Sequence, residues 1–355
     1  MQKLIAYSAI STKIRAMQGK LLTDSDFKEI AESSSVTEAL TVLEKHSPYA
    51  NAFQGTDPET LHRKDIERIL LTQKYSDFAK LYRFANTKQR KFLELYFMHY
   101  EIAILKRALR ACFNQKNIDI DLRGSIDFFR KHSHLDMDAL LAAQTLSEFI
   151  EAIKGSSYYD DLNKLFQQEG TTLFDYELHI DQLYFKRIWT LKEKYLGKSE
   201  RQFLTATFGS RMDMLNLQWI YRSKRYYHLD NNYIYSLLIP LYYKLHAPEI
   251  KALVEAGTQE EFEAVLQSTY YGKLEAKLFT DNFDLEKLYS AVLSKIYQMT
   301  AKNNPYSIAL INSYLFHKEG EINRIVSTKE AVRYGLPADQ IMSDILKQNS
   351  RRSSE

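Results

Sequence analysis

The 355-residue sequence predicts an all-α protein, and three observations carry that prediction. Glycine and proline number only 11 and 6, too few for a sheet protein with many turns. The good helix formers Leu, Ala, Lys, Glu and Gln are abundant. A helix-start pattern also recurs three times in phase, as Ser35-Val36-Thr37-Glu38, Thr145-Leu146-Ser147-Glu148 and Thr258-Gln259-Glu260-Glu261. The spacings are 145 − 35 = 110 and 258 − 145 = 113 residues. Each copy reads as a capping box, in which the hydroxyl accepts from the N3 amide and the glutamate reaches back to the N-cap amide. The same apolar frame follows each: Ala39, Leu40 and Leu43; Phe149, Ile150 and Ile153; Phe262, Val265 and Leu266. Three boxes in phase predict a structural unit of roughly 110 residues used three times.

Two long helices are expected to end each unit. The first of each pair covers Leu61 to Phe84, Phe174 to Leu196 and Phe283 to Met299. The second is marked by an apolar stripe at steps of three and four: Phe92, Leu95, Met98, Ile102, Leu105, Leu109 and Cys112. Leu204, Phe208, Met212, Leu215 and Trp219 repeat the stripe. Ile308, Ile311, Leu315, Ile322 and Ile325 repeat it less cleanly, with Gly320 as an interruption. Short polar joints, Asn86-Thr87-Lys88, Gly197-Lys198-Ser199 and Lys302-Asn303-Asn304-Pro305, separate the two helices and predict three helical hairpins. The units are drawn at 1–117, 118–229 and 230–346, with 347–355 as a flexible tail.

A second marker keeps the same period. Glu101 is followed by Lys106, Arg107 and Arg110; Asp213 by Asn216, Arg222 and Lys224; Glu321 by Arg324 and Lys329. Acid before base along a helix complements its dipole, which fits a solvated face. The same gradient used three times fits a partner surface equally, so these eleven residues are the candidate partner contacts. Charged rims of that kind set orientation and association rate more than affinity.

Composition narrows the function classes. A net charge of +3 does not demand nucleic acid, and one cysteine, Cys112, fits a reducing compartment. The most apolar stretch, Tyr233 to Leu245, is 13 residues long, against the roughly 20 of a spanning helix. Lys13 and Arg15 follow the first apolar residues at once, unlike a signal peptide.

Catalytic and ligand motifs fail on inspection. Gly197-Lys198-Ser199 lacks the upstream glycine of a phosphate-binding loop, since Lys192 stands there, and reads as a helix joint. His132, His134, Asp136 and Asp138 alternate instead of converging on one helix face, and read as a polar loop and helix start. Tyr158-Tyr159-Asp160-Asp161 falls where the other units carry Tyr49 and Tyr270-Tyr271, and reads as a structural helix end. Cys112 sits on an apolar stripe as a buried thiol. Arg222, Lys224 and Arg225 beside Tyr221, Tyr226 and Tyr227 read as a protein contact or a solvated face. No catalytic residue, cofactor or metal site is expected.

Tyr7-Ser8-Ala9-Ile10-Ser11-Thr12-Lys13-Ile14-Arg15-Ala16-Met17, with Leu21-Leu22 and Phe27, resembles the opening of the V/A-type ATPase C-subunit family, related to the d subunit of the eukaryotic V-ATPase. Asp213-Met214-Leu215-Asn216-Leu217 with Arg222 and Lys224 is similar to that family's most recognisable stretch. Glu321-Ile322-Asn323-Arg324-Ile325 through Tyr334-Gly335-Leu336-Pro337 is similar to its last repeat. Ile104-Leu105 and Ser327-Thr328-Lys329 depart from the family pattern. The resemblance covers essentially the whole chain.

The resemblance implies a funnel of three similar helical bundles around a pseudo-threefold axis. It implies a non-catalytic, single-copy adaptor on the cytoplasmic face of a membrane. Its partners would be the central shaft subunits (D/F type) and the membrane rotor ring (c/K type), and it would pass torque between them. The coupling ion, H⁺ or Na⁺, would be set by the ring. Two alternatives stand beside this: a generic helical-repeat scaffold for other proteins, and an all-helical enzyme with an acidic metal centre at Asp160-Asp161 or the His132 to Asp138 cluster.

Overall fold

A computed structural model describes residues 2–114, 122, 125–279 and 283–346. The described residues are helical with no strand. The first group is α1 (Gln2–Gln18), α2 (Asp24–Ala31), α3 (Val36–Glu44) and α4 (Ser47–Phe53), then the long α5 (Arg63–Phe84) and α6 (Thr87–Phe113). Four short helices follow, α7 (Ile126–His132), α8 (Met137–Ala142), α9 (Leu146–Ala152) and α10 (Tyr159–Phe166), then the long α11 (Leu173–Tyr195) and α12 (Lys198–Arg225). The pattern returns with α13 (Asn231–Leu237), α14 (Ala247–Glu255), α15 (Gln259–Ser268) and α16 (Tyr270–Leu274), then α17 (Leu285–Asn303) and α18 (Ile308–Arg333). A last helix, α19 (Ala338–Leu346), closes the described chain. The expected tail at 347–355 lies outside the described residues.

The three phased caps form, with one refinement. Ser35, Thr145 and Thr258 accept from the amides of Glu38, Glu148 and Glu261 at 3.1, 3.2 and 3.2 Å. Each glutamate reaches one residue further back than expected, to the amides of Ser34, Gln144 and Gly257, each at 2.7 Å. Only Glu148 also accepts from its own N-cap amide, Thr145, at 3.2 Å. A carboxylate has lone pairs for two amides, so the longer reach satisfies a donor outside the helix.

The joints carry start signals of their own. Asn86 and Gln89 make a reciprocal capping box at the start of α6. Gly197 precedes α12, its amide donating to Glu200. Ser307 caps α18. One expectation needs correction: Gly320 does not interrupt the third stripe. α18 runs unbroken through it, because a glycine inside a well-packed helix lowers propensity by only about 1 kcal/mol.

The chain divides into two compact units, residues 1–84 with 202–355, and residues 85–201. In the smaller unit α6 lies along α11, and α7 to α10 pack around that pair. Its core is aromatic: Phe97 meets Phe128 and Phe129, and Phe113 meets Tyr176 edge-on. Cys112 is buried here, as its stripe predicts.

The larger unit has two clusters. One joins Met214, Leu217 and Ile220 of α12 to α13 through α17. The other joins α2 to α5 with Ile322, Ile325 and Val332 of α18 and with α19. The third hairpin packs as expected, α17 against α18. The first two expected hairpins are instead split between the units, at 84/85 and at 201/202, the latter inside α12. The apolar stretch at 233–245 is core: Ile234, Leu237, Leu238, Ile239 and Leu245 are all buried. No helix among the described residues is long and apolar enough to cross a membrane.

Candidate functional site: three buried carboxylates and the charged ends of their helices

Glu101, Asp213 and Glu321 occupy equivalent places on α6, α12 and α18, and all three are buried. This corrects the reading of a solvated, dipole-matched face at the acids. Acid–base spacing along a helix looks the same in sequence whether the acid points to water or to a neighbouring chain segment.

Each acid holds two segments of short-helix structure together. Glu101 accepts from Ser133 Oγ at 2.5 Å and from Tyr158 OH at 3.2 Å. Asp213 accepts from the amides of Tyr243, Lys244 and Leu245 at 3.1, 2.6 and 3.0 Å, and from Tyr271 OH at 2.6 Å. Glu321 accepts from the Leu22 amide at 2.6 Å and from Tyr49 OH at 2.7 Å. The design is the same each time. The carboxylate takes donors from the loop that leads into a short helix and from a buried tyrosine about 25 residues downstream of that loop; Glu101 and Glu321 use one oxygen for each, whereas one oxygen of Asp213 takes both Tyr271 and two of the loop amides.

Each acid is offset from the in-phase tyrosine that precedes it: Glu101 binds Tyr158, and Asp213 binds Tyr271. Glu321 returns to Tyr49, 272 residues away. The tyrosines were visible as an in-phase set and as structural helix ends, and burial agrees. Their acid partners were visible as a second in-phase set. What the sequence lacks is any sign of the offset, since a link between repeats leaves no local pattern.

Electrostatics follow from burial. Desolvation holds the Glu101 and Asp213 carboxyls above the usual range, against the pull of their donors. Burial beside an acid pushes the hydroxyls of Tyr49, Tyr158 and Tyr271 up, so they remain donors. Glu321 alone also has a buried cation, Lys318 at 2.6 Å, which donates to Tyr49 OH at 3.0 Å. Charge-assisted bonds of this kind are roughly twice as strong as neutral ones.

The other eight candidates divide by exposure. Asn216 is buried and clamps Ile239, giving Nδ2 to its carbonyl at 3.0 Å and taking its amide at 2.8 Å. Arg324 is buried, paired with Asp24 at 3.1 Å and stacked 3.9 Å over the Phe27 ring. Lys329 is buried 3.0 Å from Glu330, and desolvation lowers its pKa. Lys224 donates to Val254 O at 2.5 Å, a cation at the C-terminal end of α14. Lys106 pairs with Asp181 at 2.5 Å, and Arg110 with Glu177. Arg222 pairs with Glu286 at 2.6 Å, both half-exposed. Arg107 is exposed. The outward-facing members are therefore Arg107, Arg110 and Arg222, and the inward ones hold the fold.

The set-aside motifs find structural places. Asp136 caps α8, and Arg130 pairs with Asp138 at 2.7 Å. His132 packs against Phe97 and Phe128. No cluster of three metal-ligating side chains occurs among the described residues.

The family described as ATP synthase (C/AC39) subunit matches residues 10–343. Among similar proteins is the C subunit of the A-type ATP synthase of Methanosphaera stadtmanae, 22% identical over 96% of this chain and 88% of its own length. The subunits of the same name from Pyrococcus abyssi and Thermococcus kodakarensis are each 24% identical over 96% of this chain and 90% of their own. With 334 residues matched in one continuous span, the chain belongs to the ATP synthase (C/AC39) subunit family.

Proposed function

We propose that this chain is a non-catalytic central-stalk subunit of a rotary ATPase, seated between the central shaft and the membrane rotor ring. The observation that carries the reading is the family match along nearly the whole chain, with relatives named as the C subunit of A-type ATP synthases. The chain would pass torque between ATP chemistry in a soluble head and ion movement in the membrane, at the cytoplasmic face and in one copy. Its shaft partners would be of D/F type and its ring of c/K type.

The proposal includes a shape: three bundles, from units at 1–117, 118–229 and 230–346, set around a pseudo-threefold axis as a funnel. The offset braces support it. If each carboxylate ties one repeat to the next and the last ties back to the first, the ends of the chain are locked into a closed set. Long helices packed along their length are stiff, as a part under twist requires. Of the candidate contacts, Arg107, Arg110 and Arg222 are exposed enough to meet a partner.

Co-expression with shaft and rotor-ring subunits, followed by isolation through a tag on the ring, tests the reading. One copy of this chain per complex is expected. A complex that holds shaft and ring together with none of this chain would reject the proposal.

A further inference from the structure

The larger unit has a cavity of about 250 Å³ between the C-terminal end of α12 and the start of α15. Its lining is both cationic and apolar. Lys224, Arg225 and His228 border it, together with Tyr221, Leu229 and Phe262. No acidic residue lines it among the described residues.

Three of these side chains cost the fold something. The position 11 residues after each in-phase acid (112 − 101, 224 − 213 and 332 − 321) holds Cys112, Lys224 and Val332. Cys112 and Val332 are buried there as small apolar groups. Lys224 instead puts an ammonium at that place. Its hydrogen-bond partner is the Val254 carbonyl, and burial lowers its pKa with no carboxylate opposing. Elsewhere the fold pairs its buried ammonium groups: Lys192, Lys318 and Lys329 lie 2.7, 2.6 and 3.0 Å from a carboxylate oxygen. His228 is the second departure. It takes a left-handed φ of 50°, alone among the described non-glycine residues, and the next amide, Leu229, bonds Ser223 O at 3.1 Å. After α18 the same place is filled by Gly335, φ 68°, with the Leu336 amide on Ala331 O at 3.1 Å. Glycine is the usual residue there, and strain of this kind collects at functional sites. The third is Arg225. It gives one N–H to Tyr221 OH and lies 5.4 and 5.7 Å over the Tyr221 and Tyr226 rings, yet it meets no carboxylate among the described residues.

We propose that the Lys224–Arg225–His228 cavity binds a small phosphate monoester with a flat, apolar body. Two uncompensated cations and an imidazole at one cavity suit a group with more than one charge and several acceptor oxygens. The guanidinium fork meets two of those oxygens, and the ammonium adds a point charge. The volume exceeds what a bare anion needs, since a water takes only about 30 Å³ of liquid. Tyr221, Leu229 and Phe262 supply apolar surface for the rest of the molecule, as in other small-molecule pockets. The start of α15 is not part of the anion site: Glu261 already accepts from the Gly257 amide at 2.7 Å, and Thr258 from the Glu261 amide at 3.2 Å. The inference stands independently of the central-stalk reading.

Calorimetric titration of the full chain with adenosine monophosphate, adenosine and inorganic phosphate tests this. Binding of the monophosphate that weakens with salt is expected, with adenosine and inorganic phosphate each at least tenfold weaker. Lys224→Met and Arg225→Gln, each checked for helical circular dichroism, should weaken the monophosphate at least tenfold. His228→Gly should raise the melting temperature and weaken binding together, and it carries the test if Lys224→Met fails to fold. No binding of the monophosphate by the wild type overturns the proposal, as does an affinity unchanged in the folded variants. Inorganic phosphate binding as tightly as the monophosphate overturns the apolar body. Sedimentation of the wild type with phosphatidic acid vesicles, without binding of the monophosphate, assigns the cavity to a lipid headgroup and overturns the soluble ligand.

Discussion

At the residue scale, a buried carboxylate is tolerated only where donors surround it. Asp213 has four, three of them amides of consecutive residues. Asp213→Ala leaves those donors without an acceptor at about 1–3 kcal/mol each. Urea denaturation should then show a loss of at least about 3 kcal/mol. Tyr271→Phe removes one bond to a charged acceptor and should cost about 1.5–3 kcal/mol by the same measurement. Two glutamates should respond to pH with opposite signs. Amides of Gln144 and Thr145 hold the Glu148 carboxyl low, so its stabilisation is complete above the ordinary carboxyl pKa and is lost as pH falls through the lowered one. Burial holds Glu101 high, so its contribution is complete below the ordinary pKa and is lost as pH rises through the raised one. Stability differences against Glu148→Gln and Glu101→Gln, followed by denaturation from about pH 3 to 8, should therefore drift in opposite directions. Parallel drift would contradict the assignment.

At the element scale, local signals were legible and neighbours were not. The joint at Asn86 and the three phased Ser/Thr caps mark helix starts in the sequence, because capping is chemistry within about four residues. Burial of Glu101, Asp213 and Glu321 was hidden, because the partners lie 57, 58 and 272 residues away. Gly320 misled for a related reason: the sequence shows a weak helix former, and packing decides whether the helix continues. Two glycines in long helices separate the roles. A Cβ on Gly320 meets nothing within 4 Å, so Gly320→Ala should gain about 0.5–1 kcal/mol. A Cβ on Gly209 would lie 2.6 Å from Cγ of Tyr243, whose amide binds Asp213. Gly209→Ala should cost about 1–3 kcal/mol by crowding that loop. Thermal melts that shift in the same direction for both would contradict this packing.

At the scale of the whole molecule, the helical class was readable from composition. The capping frames, the acids and the tyrosines each recur at about 110 residues, which no single motif would establish. How distant segments pack together was not readable. The core that holds α2 to α5 with α18 and α19 draws on both ends of the chain, and sequence order carries no trace of it. The functional reading rests on family membership along nearly the whole chain. The most direct measurement follows: ATP hydrolysis and ion transport by the reconstituted complex, with and without this chain. The account predicts that omission leaves ATP hydrolysis by the head but abolishes ion transport, and that adding the chain back restores it. Ion transport driven at the full rate by a complex lacking the chain would contradict the account.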